Sequence, residues 1–195
     1  MNRYLKYAFF CLFGLPLLGA ALLIGAYFFV STTLPRVETL SDYKPPLITR
    51  IYADDGSIIA EYSRERRILV PFDKIPKTLV QAFVAAEDAS FFKHQGIDFI
   101  SIFRAALKNV KAGGIAQGGS TITQQVAKKL LLTSERTFTR KFKEAILAWR
   151  MEKALTKQEI LYLYLNQIYL GHRAYGVEAA AENYFDKNVE ELTLA

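Results

Sequence analysis

Pro76-Lys77-Thr78-Leu79-Val80-Gln81-Ala82-Phe83-Val84-Ala85-Ala86-Glu87 sets the fold class of this 195-residue chain. Leu79, Val80, Phe83 and Val84 recur at helical spacing and share one face, so the stretch predicts a helix. Helical patterning continues from there towards the C-terminus. Asp98 is placed to N-cap a helix that ends at Gly113-Gly114. Thr121-Ile122-Thr123-Gln124 and Thr156-Lys157-Gln158-Glu159 both have capping-box form. A long helix is expected over about Thr137 to Leu155, another from Lys157 to Ile168 ended by Gly171, and an Ala-rich one from Gly176 to Phe185. Gly113 to Gly119 holds four glycines and is expected to be a mobile loop. The body is therefore mainly α.

Upstream of Pro76 the pattern changes. Leu47 to Tyr62 is β-prone and is broken by Asp54-Asp55-Gly56, a hairpin turn signal, which adds a small β element. Residues 31–46 are polar, with Pro35 and Pro45-Pro46, and read as a stiff linker. Ala8 to Val30 carries no charge. As a helix it would span roughly 34 Å, against a hydrocarbon core of about 30 Å. Arg3 and Lys6 precede it, which places residues 1–7 in the cytoplasm and the body beyond the membrane. A cleaved signal peptide with Gly19-Ala20-Ala21 as its site is the alternative, but the apolar run continues past that point. The expected organisation is residues 1–7 cytoplasmic, 8–30 a transmembrane anchor, 31–46 a linker and 47–195 the body.

Composition narrows the classes. The chain is 51% hydrophobic and 23% charged, so it is not disordered. One Cys and 2 His leave little for a disulfide framework or a Cys/His metal site. Lys plus Arg number 25 against 19 Asp plus Glu, a net charge of +6. The anchor argues against nucleic acid as a partner. Ser-x-x-Lys occurs at Ser41 to Lys44 and at Ser90 to Lys93. No Lys-Thr-Gly accompanies either, so no serine acyl-transfer site is supported. His-Glu-x-x-His and Walker loops are absent.

Two carboxylates stand out. Glu87 continues the stripe of Leu79 and Phe83, where partial desolvation would suit it to proton transfer. Glu144 lies on the long helix among Phe138, Phe142, Ala145, Ile146 and Trp149 on one side and Leu147, Met151 and Leu155 on the other. A helix apolar on both sides is expected to be buried and central, and its carboxylate then needs a partner, which Arg140 one turn back can supply. A buried structural ion pair and a catalytic role are both open for Glu144. Lys128 and Lys129, with Arg136, Arg140, Lys141 and Lys143, form a basic set of a type that holds phosphate; a solvated face is the plainer account of such a run.

Five stretches, in order, resemble the signatures of the peptidoglycan glycosyltransferases (glycosyltransferase family 51) found in class A penicillin-binding proteins. They are Glu87-Asp88-Ala89-Ser90-Phe91-Phe92-Lys93-His94-Gln95-Gly96; Gly118-Gly119-Ser120-Thr121-Ile122-Thr123-Gln124-Gln125 with Lys128; Arg140-Lys141-Phe142-Lys143-Glu144; Ile160-Leu161 with Tyr164-Leu165-Asn166; and Tyr169-Leu170-Gly171 with Tyr175-Gly176-Val177-Glu178-Ala179-Ala180.

The resemblance implies a lysozyme-like, mainly α fold with a jaw that contacts the membrane. It implies a substrate, lipid II, that is polymerised into glycan with inversion. Glu87 would be the general base. Glu144 would serve the donor pyrophosphate, through Mg²⁺ or Mn²⁺ or by organising cations, and no organic cofactor is implied. Asp88, His94, Ser120, Thr121, Gln124, Gln125, Lys128, Arg140 and Lys141 are the candidate substrate contacts. Thr121 and Gln124 have helix capping as an alternative task, while Asn166 and Tyr169 read as structural. The expected partners are lipid II, the growing glycan chain, the bilayer and cell-wall synthesis proteins, and the expected site is the bacterial inner membrane with the body in the periplasm. Thr193 would N-cap a further helix, so the domain is expected to continue past Ala195, with a transpeptidase domain beyond. A lysozyme-like glycan-cleaving enzyme and an inactive wall-binding tether are the competing readings.

Overall fold

Leu15–Ser31 forms helix α1, preceded by a π-helical turn at Phe10–Gly14. This computed structural model describes residues 3, 7, 9–35, 37, 49–62, 65–114, 118–132 and 138–193. Contacts divide the chain into two units, Met1–Arg36 and Val37–Ala195. In the first, Leu12–Ser31 is the one stretch among the described residues long and apolar enough to cross a membrane. Leu17, Leu22, Ile24, Phe28 and Phe29 on it are exposed, as suits a helix whose apolar surroundings are not protein. Lys6, Arg136, Leu194, Ala195 and most of the proposed linker lie outside the described residues, as do residues 115–117 of the glycine-rich stretch.

The second unit begins with the expected hairpin. Strands β1 (Thr49–Tyr52) and β2 (Ile58–Tyr62) pair antiparallel, Thr49 opposite Tyr62, with an irregularity between Ile51 and Tyr52. The Asp55 carboxylate closes the turn by accepting from the Ser57 amide at 2.9 Å, and Gly56 takes φ +83°. A second sheet was not foreseen. Strand β3 (Arg66–Arg67) pairs parallel with β4 (Ala174–Tyr175). Strands of two residues carry no periodicity to read.

Among the described residues six α-helices follow β3. They are α2 (Lys77–Glu87), α3 (Phe99–Ala112), α4 (Ile122–Leu131), α5 (Phe138–Ala154), α6 (Lys157–Gln167) and, after β4, α7 (Val177–Phe185). The molecule is mainly helical with small sheets, as expected. The caps are those read from local sequence. Asp98 accepts from the Ser101 amide and Gly113 ends α3 in the left-handed region. Thr121 with Gln124 and Thr156 with Glu159 form complete capping boxes.

One expectation is corrected. The long helix α5 is not buried all round. It buries Glu144, Leu147, Ala148 and Met151, a stripe at three- and four-residue spacing, with Ile146 beside it, while Trp149 is exposed. The most enclosed helix is α6, where Ile160, Leu161, Leu163, Tyr164, Leu165, Asn166 and Gln167 are all buried. Helix α4 packs chiefly on α5 and α6. Asn166 ties this centre to the chain before α2, accepting from the Val70 amide at 2.9 Å and donating to its carbonyl at 3.1 Å. Gly176 is required where α7 starts, because at φ +87° a Cβ would stand 2.9 Å from the Asn166 carbonyl oxygen. Asn166 is thus structural, as read.

Candidate active site

Helix α2 stops at Glu87, and the next residue turns the chain inward. Asp88 is buried, and its carboxylate accepts from His94 Nε2 at 2.9 and 3.0 Å and from the Ile122 amide at 3.0 Å. Nδ1 of His94 accepts from the Gly96 amide at 3.1 Å, so Nε2 carries the proton and donates to Asp88. The Ile122 amide is the first of α4, where a carboxylate also meets the positive end of the helix. The Gly96 carbonyl in turn accepts from Thr121 Oγ1 at 2.6 Å. Gly96 itself sits at φ +88° under α5, where a Cβ would lie 2.7 Å from the Ala148 carbonyl oxygen. Residues 87–96 and the start of α4 are therefore one rigid assembly.

In that assembly four of the expected substrate contacts make hydrogen bonds within the protein. Asp88, His94, Thr121 and Gln124 direct their polar atoms into the protein. Gln124 Oε1 accepts from the Thr121 amide at 3.0 Å, and Thr121 Oγ1 accepts from the Gln124 amide at 3.2 Å. Asp88, Thr121 and Gln124 are 7%, 2% and 5% exposed, and the His94 side chain is 8% exposed. Burial leaves their polar groups to be satisfied internally.

Glu87 differs from expectation in the opposite sense. It is exposed rather than partly desolvated, because the apolar stripe ends with the helix and no following turn covers it. Its Oε2 accepts from Gln125 Nε2 at 2.9 Å. Gln125 and the exposed Lys128 line a small cavity of about 60 Å³, with Tyr164 and Gln167 of α6 opposite. Burial, reinforced by the Glu87 charge, pushes the Tyr164 hydroxyl well above the usual phenol range. Tyr164, quoted above within the fourth stretch, lines this cavity from the buried run of α6.

Glu144 is 1% exposed and has two cationic partners on its own helix. Arg140 Nε lies 3.0 Å from Oε1 and Lys141 Nζ lies 2.8 Å from Oε2. Lys141 Nζ also donates to Ser120 Oγ at 2.6 Å. Half-exposed Lys141 and Ser120, with Gln124, Asn109 and Gly119, line a concavity of about 330 Å³ walled by α3 and α4. Each Glu144 oxygen already faces a cation, so the carboxylate in this arrangement offers a divalent ion no uncompensated oxygen. Among the described residues no three His, Cys, Asp or Glu side chains are grouped to hold a metal. The arrangement suits an anion instead, because Lys141 stands at the concavity with its charge held in place from behind.

Helix α4 thus borders both carboxylate regions, with Gln125 bonded to Glu87 and Gln124 lining the concavity that Lys141 enters. Lys128 lines the smaller cavity and not the one that Lys141 enters. A further pairing was not anticipated. Thr123 Oγ1 and Lys157 Nζ both donate to Glu152 Oε1, at 2.6 and 2.7 Å, and Lys157 reaches the His94 carbonyl at 2.8 Å.

Residues 55–195 match the family model described as Transglycosylase. The chain belongs to the transglycosylase family. The chain is 50% identical over 182 residues to penicillin-binding protein 1A of Neisseria flavescens, 93% of the chain and 23% of that relative. It is 49% identical over 192 residues to penicillin-binding protein 1A of Escherichia coli (strain K12), 98% of the chain and 23% of that protein. The match to penicillin-binding protein 1A of Rickettsia bellii (strain RML369-C) is 47% over 196 residues. The chain spans about a quarter of the length of these relatives, 23% to 25%.

Proposed function

We propose that the chain is the glycosyltransferase part of a peptidoglycan polymerase that extends glycan strands from lipid II. The observation that carries this reading is the unequal state of its two carboxylates. Glu87 is exposed and held by one neutral donor, so it is open to a substrate hydroxyl. Glu144 is enclosed and matched by Arg140 and Lys141. A glycan-cleaving enzyme needs a carboxylic acid to protonate a poor leaving group, canonically with a second carboxylate across the sugar, and has no need of cations for a pyrophosphate. A lipid pyrophosphate leaves without that acid. One base and a set of cations then suffice.

In the proposed reaction the Glu87 carboxylate takes the proton of the acceptor's 4-hydroxyl. The oxygen attacks the anomeric carbon of the donor chain from the face opposite the pyrophosphate. The bond from that carbon to the phosphate oxygen breaks, the configuration inverts, and undecaprenyl pyrophosphate leaves with the electron pair. Lys141 and Arg140 meet the developing charge, Glu144 holds those cations, and Ser120 fixes the Lys141 ammonium. No step is assigned to Mg²⁺ or Mn²⁺. Lys128 and Gln125 face the Glu87 side. The proposed setting is the bacterial inner membrane, with Leu12–Ser31 as anchor. Confining enzyme and lipid-borne substrates to one surface raises their effective concentration. In the longer protein that its relatives suggest, cell-wall synthesis proteins and a transpeptidase would act alongside it.

The test is incubation of the chain, in detergent, with labelled lipid II and separately with preformed glycan. Polymer from lipid II is expected. Shortening of preformed glycan without polymer would favour the lysozyme-like alternative and overturn the proposal.

A further inference from the structure

We infer that the Lys157–Glu152 ion pair positions the Glu87 carboxylate, because it grips both of the segments that present Glu87 and Gln125. Glu152 stands in the last turn of α5 and Lys157 opens α6, so the pair closes the corner between those helices. From that corner it reaches two ways. Glu152 Oε1 accepts from Thr123 Oγ1 at 2.6 Å, two residues before Gln125 on α4. Lys157 Nζ donates to Glu152 Oε1 at 2.7 Å and to the His94 carbonyl at 2.8 Å, in the segment that leaves Glu87. The ammonium also lies 4.3 Å from the ring centroid of the fully buried Phe91. Two acceptors and an aromatic face occupy its three donors, which separates it from the cations proposed to meet a pyrophosphate.

The bonds from Ile122 to Asp88 and from Thr121 to Gly96 join residues 88–96 to the start of α4. The ion pair does something those bonds cannot. It fastens both sides of that joint to the α5–α6 corner, holding His94 by its carbonyl and α4 by the Thr123 hydroxyl. The Glu152 side chain is 5% exposed and Thr123 is fully buried, so these bonds are shielded from water. Burying two charges costs desolvation that their attraction scarcely repays, so such a pair contributes little net stability. What it holds is geometry. At the surface the consequence is the 2.9 Å bond between Gln125 and Glu87, which forms only if α4 and the end of α2 keep their relative placement. A reacting group displaced by about 1 Å can lose about 100-fold in rate, so a brace of this kind bears directly on proton abstraction.

The inference rests on the reading of Glu87 as the base, so one arm of the experiment needs no turnover. In the full chain in detergent micelles, the Gln125 side-chain amide resonance is assigned from its loss in Q125A. Its position in E87A marks the amide without its carboxylate partner. K157M keeps the stem over Phe91 and removes the charge, and there the resonance is expected to move at least halfway to the E87A position. Because K157M leaves Glu152 buried and unpaired, the same shift is read in E152Q/K157M, where neither charge remains. T123V, of the same shape as the native side chain, cuts only the arm to α4 and is expected to shift the resonance in the same direction. A resonance unmoved in these variants overturns the inference. In the second arm kcat for lipid II polymerisation by E152Q/K157M is expected to fall about tenfold, with KM within about twofold of the unmodified value. A lower melting temperature with kcat and the Gln125 resonance unchanged would assign the pair to stability alone and equally overturn the inference. Full polymerisation by E87Q would instead remove Glu87 as the base, while the amide shift would still support the brace.

Discussion

Gln125 and Glu87 stand 38 positions apart in the chain and 2.9 Å apart in the structure, the amide Nε2 donating to Oε2. The bond spans the junction between α2 and α4. It leaves the other carboxylate oxygen of Glu87 without a protein partner among the described hydrogen bonds. The proposed role of Glu87 as base needs such a free oxygen to abstract a proton from an incoming hydroxyl.

Replacing Gln125 should therefore cost rate and not folding. In Q125A, kcat for lipid II polymerisation is expected to fall by about 10- to 100-fold, in the range for a misaligned base. Thermal unfolding should move little, because the bond is exposed. Steady-state kinetics beside a melting curve check this; full activity in Q125A would remove the bond from the mechanism.

Asp88 should behave in the reverse way. D88A leaves the His94 ring and the Ile122 amide without their acceptor in a buried place. A loss of about 3 kcal/mol in unfolding free energy is expected. Denaturant titration measures it. A stable but inactive D88A would mean that the carboxylate contacts substrate after all.

At the other carboxylate the outcome separates cations from metal. E144Q removes the charge that holds Arg140 and Lys141, and polymerisation is expected to fall by about 10- to 100-fold. EDTA should leave the unmodified enzyme within about twofold of its starting rate. Abolition by EDTA, with recovery on adding Mg²⁺ or Mn²⁺, would contradict the cation assignment.

Asp98 gives a pH-dependent expectation. Bonds from Ser101 and Ser90 hold its carboxyl well below the usual 3.8. A depressed value means that the ionised form is favoured in the fold. Its contribution is complete above pH 3.8 and fades as pH falls through the folded value. D98A should thus lose about 1 kcal/mol at pH 7, as for a missing helix cap. Its deficit against the unmodified protein should shrink in melts below pH 3.8. A deficit that does not change with pH would show that packing, not the charge, matters there.

The helices and their ends were legible because their causes are local. Thr121 and Gln124, or Thr156 and Glu159, meet within one turn, so three-residue spacing predicts the bonds found. Asp98 and the Gly113 end of α3 are of the same kind. The anchor-length apolar run is equally local. The β3–β4 pairing was not legible, since two residues show no alternation.

Residue types in the site were also readable: two carboxylates, a basic set, amides after a glycine-rich stretch. Their tasks were not. Asp88 and His94 are as polar as Glu87 and Gln125, yet the first pair braces α4 while the second stands in the open. Lys141 and Lys128 are alike in sequence, but only Lys141 meets Glu144 and Ser120. Sequence alone thus determined which segments become helices and which chemical groups they carry, because backbone propensity and capping act over one turn. Only the tertiary structure decided which groups are buried and spent and which face a cleft, because burial and long-range bonds depend on how α2, α4, α5 and α6 pack.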